Sequence, residues 1–143
     1  AKLDRAGNVI ATQRGYQDRP AVALTAHLDT VLAPRTPEEI RQHPDGSLHG
    51  PGVSDNGAGL AGLLAIAAAA AKFPVFEETP GGLMLIANVG EEGEGNLSGM
   101  RYLCRPGGPR IQVFVVLDGP ATDHITCRAL ASRRFDVSLS GPG

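Results

Sequence analysis

Residues 83–92 read LMLIANVGEE. Leu83 to Val89 is an almost continuous apolar run, the pattern of a strand covered on both faces. It then breaks at Gly90 into two adjacent glutamates, Glu91 and Glu92. Two other runs read the same way: Ala21–Ala26 (AVALTA), bounded by Pro20, and Ile111–Leu117 (IQVFVVL). Between the first two lies Gly57–Lys72, with Leu60, Leu63, Leu64 and Ala67 at helical spacing, an alanine run behind them and Pro74 beyond its end. Leu97–Arg105 is a shorter helix candidate stopped by Pro106 and Gly107. Strand–helix–strand–helix–strand predicts an α/β fold, a mixed, largely parallel sheet with helices on both faces. Asn8–Thr12 is short and β-prone, Ile125–Ala131 and Arg134–Ser140 are strand-like, and Pro34–Pro51 reads as a long polar surface loop.

Composition narrows the function. The chain has 143 residues and a net charge of -2, with no basic block, 4% aromatic residues and no Trp. That argues against nucleic acid as a partner. The longest apolar run, about Gly57–Ala71, is shorter than the ~20 residues a bilayer needs. The opening residues do not read as a signal peptide, so the expected setting is the cytoplasm, without a membrane partner. Cys104 and Cys127 are too few for a disulfide framework and are expected as ordinary buried or half-buried thiols. The triplet Asn96-Leu97-Ser98 matches a glycosylation acceptor and is read as chance.

The polar residues that end the strands carry the chemistry. The first run ends in His27 and then Asp29 (TAHLDTV), the second in Glu91 and Glu92, and the third in Asp118 (VVLDG). Asp55 stands in GPGVSDNGAG, just before the long helix. Ligand crevices of open α/β sheets lie at the carboxyl ends of strands, so these groups converge on one edge. Taken singly each has an ordinary reading. Asp55 is a helix cap, the glutamates a solvated turn, Asp118 a turn starter, and His27 a hydrogen-bonded core histidine. Together they suit a divalent metal ion bound without thiolates: zinc, or manganese or cobalt. Asp29 would hold the second ring nitrogen of His27. Asp55 could bridge two ions, and of the two glutamates one would ligate and the other act as general base.

The order AHLDTV, GPGVSDNGAG, NVGEEGEGNLSG, VVLDG resembles the metal-dependent exopeptidase and deacylase family. That family includes glutamate carboxypeptidase, aminoacylase, acetylornithine deacetylase, succinyl-diaminopimelate desuccinylase and bacterial di- and tripeptidases. The likeness runs from about Gly7 to Gly143. It implies two divalent metal ions, with His27 and Asp118 on the first, Asp55 bridging, Glu92 on the second, Glu91 as general base and Asp29 orienting His27. It also implies a cis peptide at Asp55–Asn56. The activity implied is hydrolysis of a peptide or N-acyl amide bond by a water activated between the ions, on small peptides or N-acyl amino acids.

The family's second metal takes a histidine from far downstream. His43 and His49 in the Pro-rich loop and His124 after the Asp118 turn are read as surface or turn residues instead. Residues 1–131 are therefore expected to be a partial catalytic domain. Residues 132–143 (with RRFDVSLSGPG) are expected to begin a lid or dimerisation domain, and pairing with a second copy or with the missing part is expected. Two other readings stand beside this one: an aminopeptidase of the related lid-less zinc family, and a truncated, non-catalytic metal-binding or assembly fragment. Nucleotide binding by GPGVSDNGAG is disfavoured, because the loop has no P-loop lysine and places Asp55 where phosphate would sit.

Overall fold

An apolar run becomes a strand when neighbouring strands take its backbone hydrogen bonds and a helix covers its side chains. The computed structural model describes residues 1–12, 21–32, 35–73, 82–119, 123, 125–131, 133 and 135–142. Among these, the strands are β1 (Lys2–Leu3), β2 (Val9–Thr12), β3 (Ala21–His27), β4 (Arg41–Gln42), β5 (Leu48–His49), β6 (Leu83–Asn88) and β7 (Ile111–Val116). The α-helices are α1 (Gly59–Lys72) and α2 (Ser98–Leu103). Five strands form one mixed sheet in the order β1-β2-β6-β3-β7. β3 runs parallel to β6 on one side and to β7 on the other, whereas β2 is antiparallel to β6 and β1 to β2. The α/β expectation holds.

Register and connection order place the site. His27 pairs with Asn88, so β3 and β6 end level with each other. Alternation puts Ala21, Ala23, Thr25 and His27 on one face of β3. Ala21 and Ala23 join Ile10, Met84 and Ile86 there in a cluster closed by Leu103 of α2, with Met100, Ile111 and Phe114 packed around it. α1 packs along β3 and β6 through its buried Leu63, which lies outside that cluster. The chain passes from β3 to β6 through α1, then returns across β3 to β7 through α2. Right-handed crossovers in opposite directions put their helices on opposite faces. The loops after β3 and β6 therefore diverge and leave a crevice between the carboxyl ends of these two strands.

Several expectations need correction. The third apolar run is not a buried strand: Val113, Val115 and Val116 are exposed, because β7 is an edge strand with a partner on one side only among the described residues. The strand-like runs near the C-terminus carry no regular secondary structure in the described residues 125–131, 133 and 135–142, and Ile125, Leu130, Phe135, Val137 and Leu139 are exposed. These runs pair with no strand among the described residues, and an unpaired β-prone run has little to hold it extended. Cys104 and Cys127 are free and exposed rather than buried, the first at the outer end of α2 and the second in this C-terminal stretch.

The polar loop contains a short turn of 3₁₀ helix, Pro37–Glu39, and a β4–β5 hairpin that brings the rings of His43 and His49 within 4.4 Å. The apolar stretch Val53–Lys72 has the length and hydropathy of a membrane span at 20 residues. Its continuous helix is only the 14-residue α1, however. At about 1.5 Å per residue that helix falls short of ~30 Å of hydrocarbon.

Candidate metal centre

β3 delivers His27 to the crevice almost completely buried, at 2% exposure. Its Nδ1 lies 2.7 Å from the main-chain carbonyl of Asp29. A carbonyl has no proton to give, so Nδ1–H is the donor, and in the neutral ring Nε2 carries a lone pair. That lone pair faces Asp55 Oδ1 at 2.9 Å and Asp118 Oδ1 at 3.8 Å. A lone pair set against two carboxylates is repulsive unless a proton or a cation lies between them. Nε2 is in addition a buried nitrogen without a properly directed hydrogen bond, despite its nearness to Asp55. Burial pulls the imidazole pKa down, but the Asp29 carbonyl and the charges of Asp118, Glu91 and Asp55 outweigh it and hold the ring above its ordinary range.

The carboxylates arrive on three loops. Asp55 lies in the kinked turn Val53–Ala58, where it and Asn56 leave helical geometry, and the Asp55–Asn56 peptide is cis, as the motif order implied. Asn56 is buried and donates from Nδ2 to the carbonyl of Leu117 at 2.9 Å, tying this turn to the end of β7 beside Asp118. α1 begins tightly against the same contact: a Cβ on Gly59 would lie 2.3 Å from the Leu117 carbonyl oxygen.

Glu91 and Glu92 sit on the loop after β6. The Asp29 carboxylate accepts the Glu91 N–H at 3.1 Å and the Glu92 N–H at 2.9 Å. This differs from the expected role of Asp29. Its carboxylate is 3.9 Å from His27 Nδ1, too far for a hydrogen bond. Asp29 thus orients His27 through its main chain and the glutamate pair through its side chain. Burial works against the Asp29 carboxylate, but the two N–H donors from Glu92 and Glu91 prevail and keep it below the usual carboxylate range.

Ligand atoms of His27, Asp55 and Glu92 all lie within 4.8 Å of one another, a spacing one metal ion could span. Asp118 borders the group through its contact with His27 Nε2. Burial pushes the Glu91 carboxyl up; the His27 charge opposes this, and the negative Asp118, Glu92 and Asp29 reinforce it, leaving Glu91 above its ordinary value. A glutamate raised toward neutrality beside a cation site has the properties of a general base. His43 and His49 meet ring against ring at a tilt in the hairpin and are not part of this group, and His124 lies outside the described residues. The donor set is oxygen and imidazole, which fits a borderline divalent ion such as zinc.

A mixed α/β sheet with an imidazole and carboxylates gathered at the carboxyl ends of its strands has the donor groups a metal-dependent hydrolase uses. Residues 8–131 match the profile of Peptidase family M28, and the chain belongs to that family. It is by that membership a metal-dependent peptidase, and none of the particular enzymes whose motifs it resembles is singled out. No curated protein and no solved structure matches the chain.

Sequence reasoning missed Asn8, which is wholly buried and bonded to the base of the Glu91–Glu92 loop. Its only signal was the turn sequence DRAGN, where Asp4 stands four residues before an asparagine.

Proposed function

We propose that the protein hydrolyses peptide or N-acyl amide bonds as an exopeptidase on small peptides, using two divalent metal ions, zinc foremost. His27, Asp55 and Asp118 would hold one ion, and Asp55 with Glu92 the other. Bound ions of this kind supply Lewis acidity, polarising a scissile carbonyl and acidifying water. Glu91 takes a proton from the attacking water and returns it to the leaving amine, a role that its raised pKa favours. Asp29 keeps Glu91 and Glu92 facing the crevice, and its carbonyl keeps Nε2 of His27 free for a cation.

The observation that carries this reading is the buried, unpartnered Nε2 of His27 aimed between two carboxylates. Zinc calorimetry on the unmodified chain should give two ions, both lost in Asp55→Ala. In assays on small peptides, Glu91→Gln should lower turnover by a factor of about 10² or more with zinc binding retained. A folded chain that binds no zinc refutes the site, and normal turnover in Glu91→Gln refutes its role.

A second reading has one specific support. Among the described residues the candidate group contains a single histidine, His27. A fragment that binds one ion and does not turn over substrate would leave calorimetry at one site.

A further inference from the structure

We infer that Asn8, a residue no catalytic or metal role has touched, is a positioning residue that sets the Glu91–Glu92 loop from the side opposite Asp29. The inference rests on the metal-site reading above. Asn8 is fully buried at 0% exposure, and every polar atom of its side chain is used. Its Oδ1 accepts the Val89 N–H at 3.1 Å. Its Nδ2 donates to the Gly99 carbonyl at 3.1 Å and to Asp4 Oδ2 at 2.7 Å. One side chain therefore holds both feet of the loop that carries the glutamates.

The feet are also joined to each other. Gly99 N–H donates to the Val89 carbonyl at 2.9 Å, and Ser98 N–H to the Gly90 carbonyl at 3.0 Å. The seam is too tight for side chains: a Cβ on Gly99 would lie 2.2 Å from Asn8 Oδ1, and one on Gly95 would lie 2.6 Å from Gly90 Cα. Asn8 is itself fixed from behind, because Asp4 Oδ1 takes the Asn8 N–H at 3.0 Å and the Ala6 N–H at 2.8 Å. Asn8, leading into β2, thus grips the base of the loop, while the turn after β3 grips Glu91 and Glu92 through Asp29. With both ends pinned, Glu92 meets a cation without first paying to order its loop, and losing either grip lowers metal affinity.

The test compares Asn8→Ala with Ile10→Ala, a core truncation two residues further on in β2 whose side chain packs with Ala21, Ala23, Met84 and Ile86. Zinc affinity is measured by calorimetry and backbone amide exchange on the metal-free protein. Asn8→Ala should weaken zinc binding by roughly tenfold or more, in the range seen for outer partners of metal ligands. It should also speed exchange at Val89, Glu91 and Glu92 while β3 stays protected. Ile10→Ala should lower the melting temperature and leave zinc affinity unchanged. Wild-type affinity in folded Asn8→Ala, or an equal loss in Ile10→Ala, overturns the proposal.

Should Asn8→Ala not fold, Asn8→Asp keeps the size and the oxygen facing Val89, loses the bonds to Gly99 and Asp4, and sets a carboxylate against that of Asp4. Unchanged zinc affinity there is equally fatal. In the unmodified chain the Val89 N–H should exchange as slowly as the amides of β6, and fast exchange refutes the clamp without any variant. Failure of the unmodified chain to bind zinc would count against the metal site itself, while slow exchange at Val89 would still report the clamp.

Discussion

Replacing Asp29 by alanine tests the tip of the loop most directly. The carboxylate accepts two N–H groups, at 3.1 and 2.9 Å. A hydrogen bond to a charged group is worth ~1.5–3 kcal/mol, so the pair contributes about 3–6 kcal/mol in a dry setting. Asp29 is 31% exposed, so water can reach the freed amides and the net loss should be roughly half, about 2–3 kcal/mol. For a chain of this length that is a fall in melting temperature of roughly 7–10 °C. Urea unfolding of the metal-free chain, with unchanged slope, reads the number. Asp29→Asn should lose about half as much, since its amide oxygen can still take one N–H.

The pH dependence has a definite sign. Asp29 is held below its ordinary value in the folded chain, first against burial and then through the Glu92 and Glu91 amides. Its stabilisation is therefore complete above the unfolded value of ~4 and is lost as pH falls through the lower folded value. The gap between wild type and Asp29→Asn should be level from neutral pH down to about 5 and close at lower pH. An Asp29→Ala chain within about 0.5 kcal/mol of wild type, or a gap that widens in acid, would refute the clamp.

Three further outcomes are expected. Leu63→Ala should cost about 2–4 kcal/mol in urea unfolding, because Leu63 is the buried contact of α1, while Leu64→Ala, at an exposed position, should cost under ~0.5 kcal/mol. Gly59→Ala should destabilise by about 1–3 kcal/mol despite alanine's better helix propensity. Its Cβ would stand 2.1 Å from Asn56 Oδ1 and 2.3 Å from the Leu117 carbonyl, and a neutral result would mean the α1 start is looser than described. Zinc at a hundred times its Kd should raise stability by about 2.7 kcal/mol, and a chelator should reverse it; a melting temperature indifferent to both would be incompatible with a native-state metal site.

The three strands were legible because each is a compact apolar run between breakers, and two of them are indeed the covered centre of the sheet. β7 looked the same in sequence, yet Val113, Val115 and Val116 face outward. Apolar composition reports that a run wants cover; it cannot report that the sheet stops there. The C-terminal alternation of Phe135, Val137 and Leu139 misled for a related reason, since a strand pattern makes no strand until it pairs, and no described strand pairs with it. His27, Asp55, Glu92 and Asp118 could be picked out because they punctuate apolar runs, and strand direction sends such residues to one end of a sheet. Asn8 could not, because its importance lies in contacts with Val89 and Gly99, more than eighty residues away along the chain. The dual use of Asp29 was equally hidden. His-x-Asp spacing suggests that the pair acts together, but main-chain and side-chain oxygens of one residue are indistinguishable in a sequence.

The glutamate pair posed the sharpest physical conflict, two carboxylates abreast with a third and a fourth nearby. Like charges about 4 Å apart repel by ~4 kcal/mol at an effective dielectric near 20. The fold meets part of that cost with fixed dipoles: the Glu91 and Glu92 amides are turned toward Asp29, and the Gly119 amide donates to Asp118 Oδ1 at 2.6 Å. It meets another part with His27, whose raised pKa reflects a ring drawn toward the charged state by its carboxylate neighbours after burial has been overcome. None of these removes the charge from the crevice. A buried imidazole with its free nitrogen between carboxylates is favourable as a resting arrangement only when a proton or a metal occupies that axis. The strand ends, the two clamps and the unpartnered Nε2 all fit the proposed occupants, one divalent ion between His27, Asp55 and Asp118 and a second between Asp55 and Glu92.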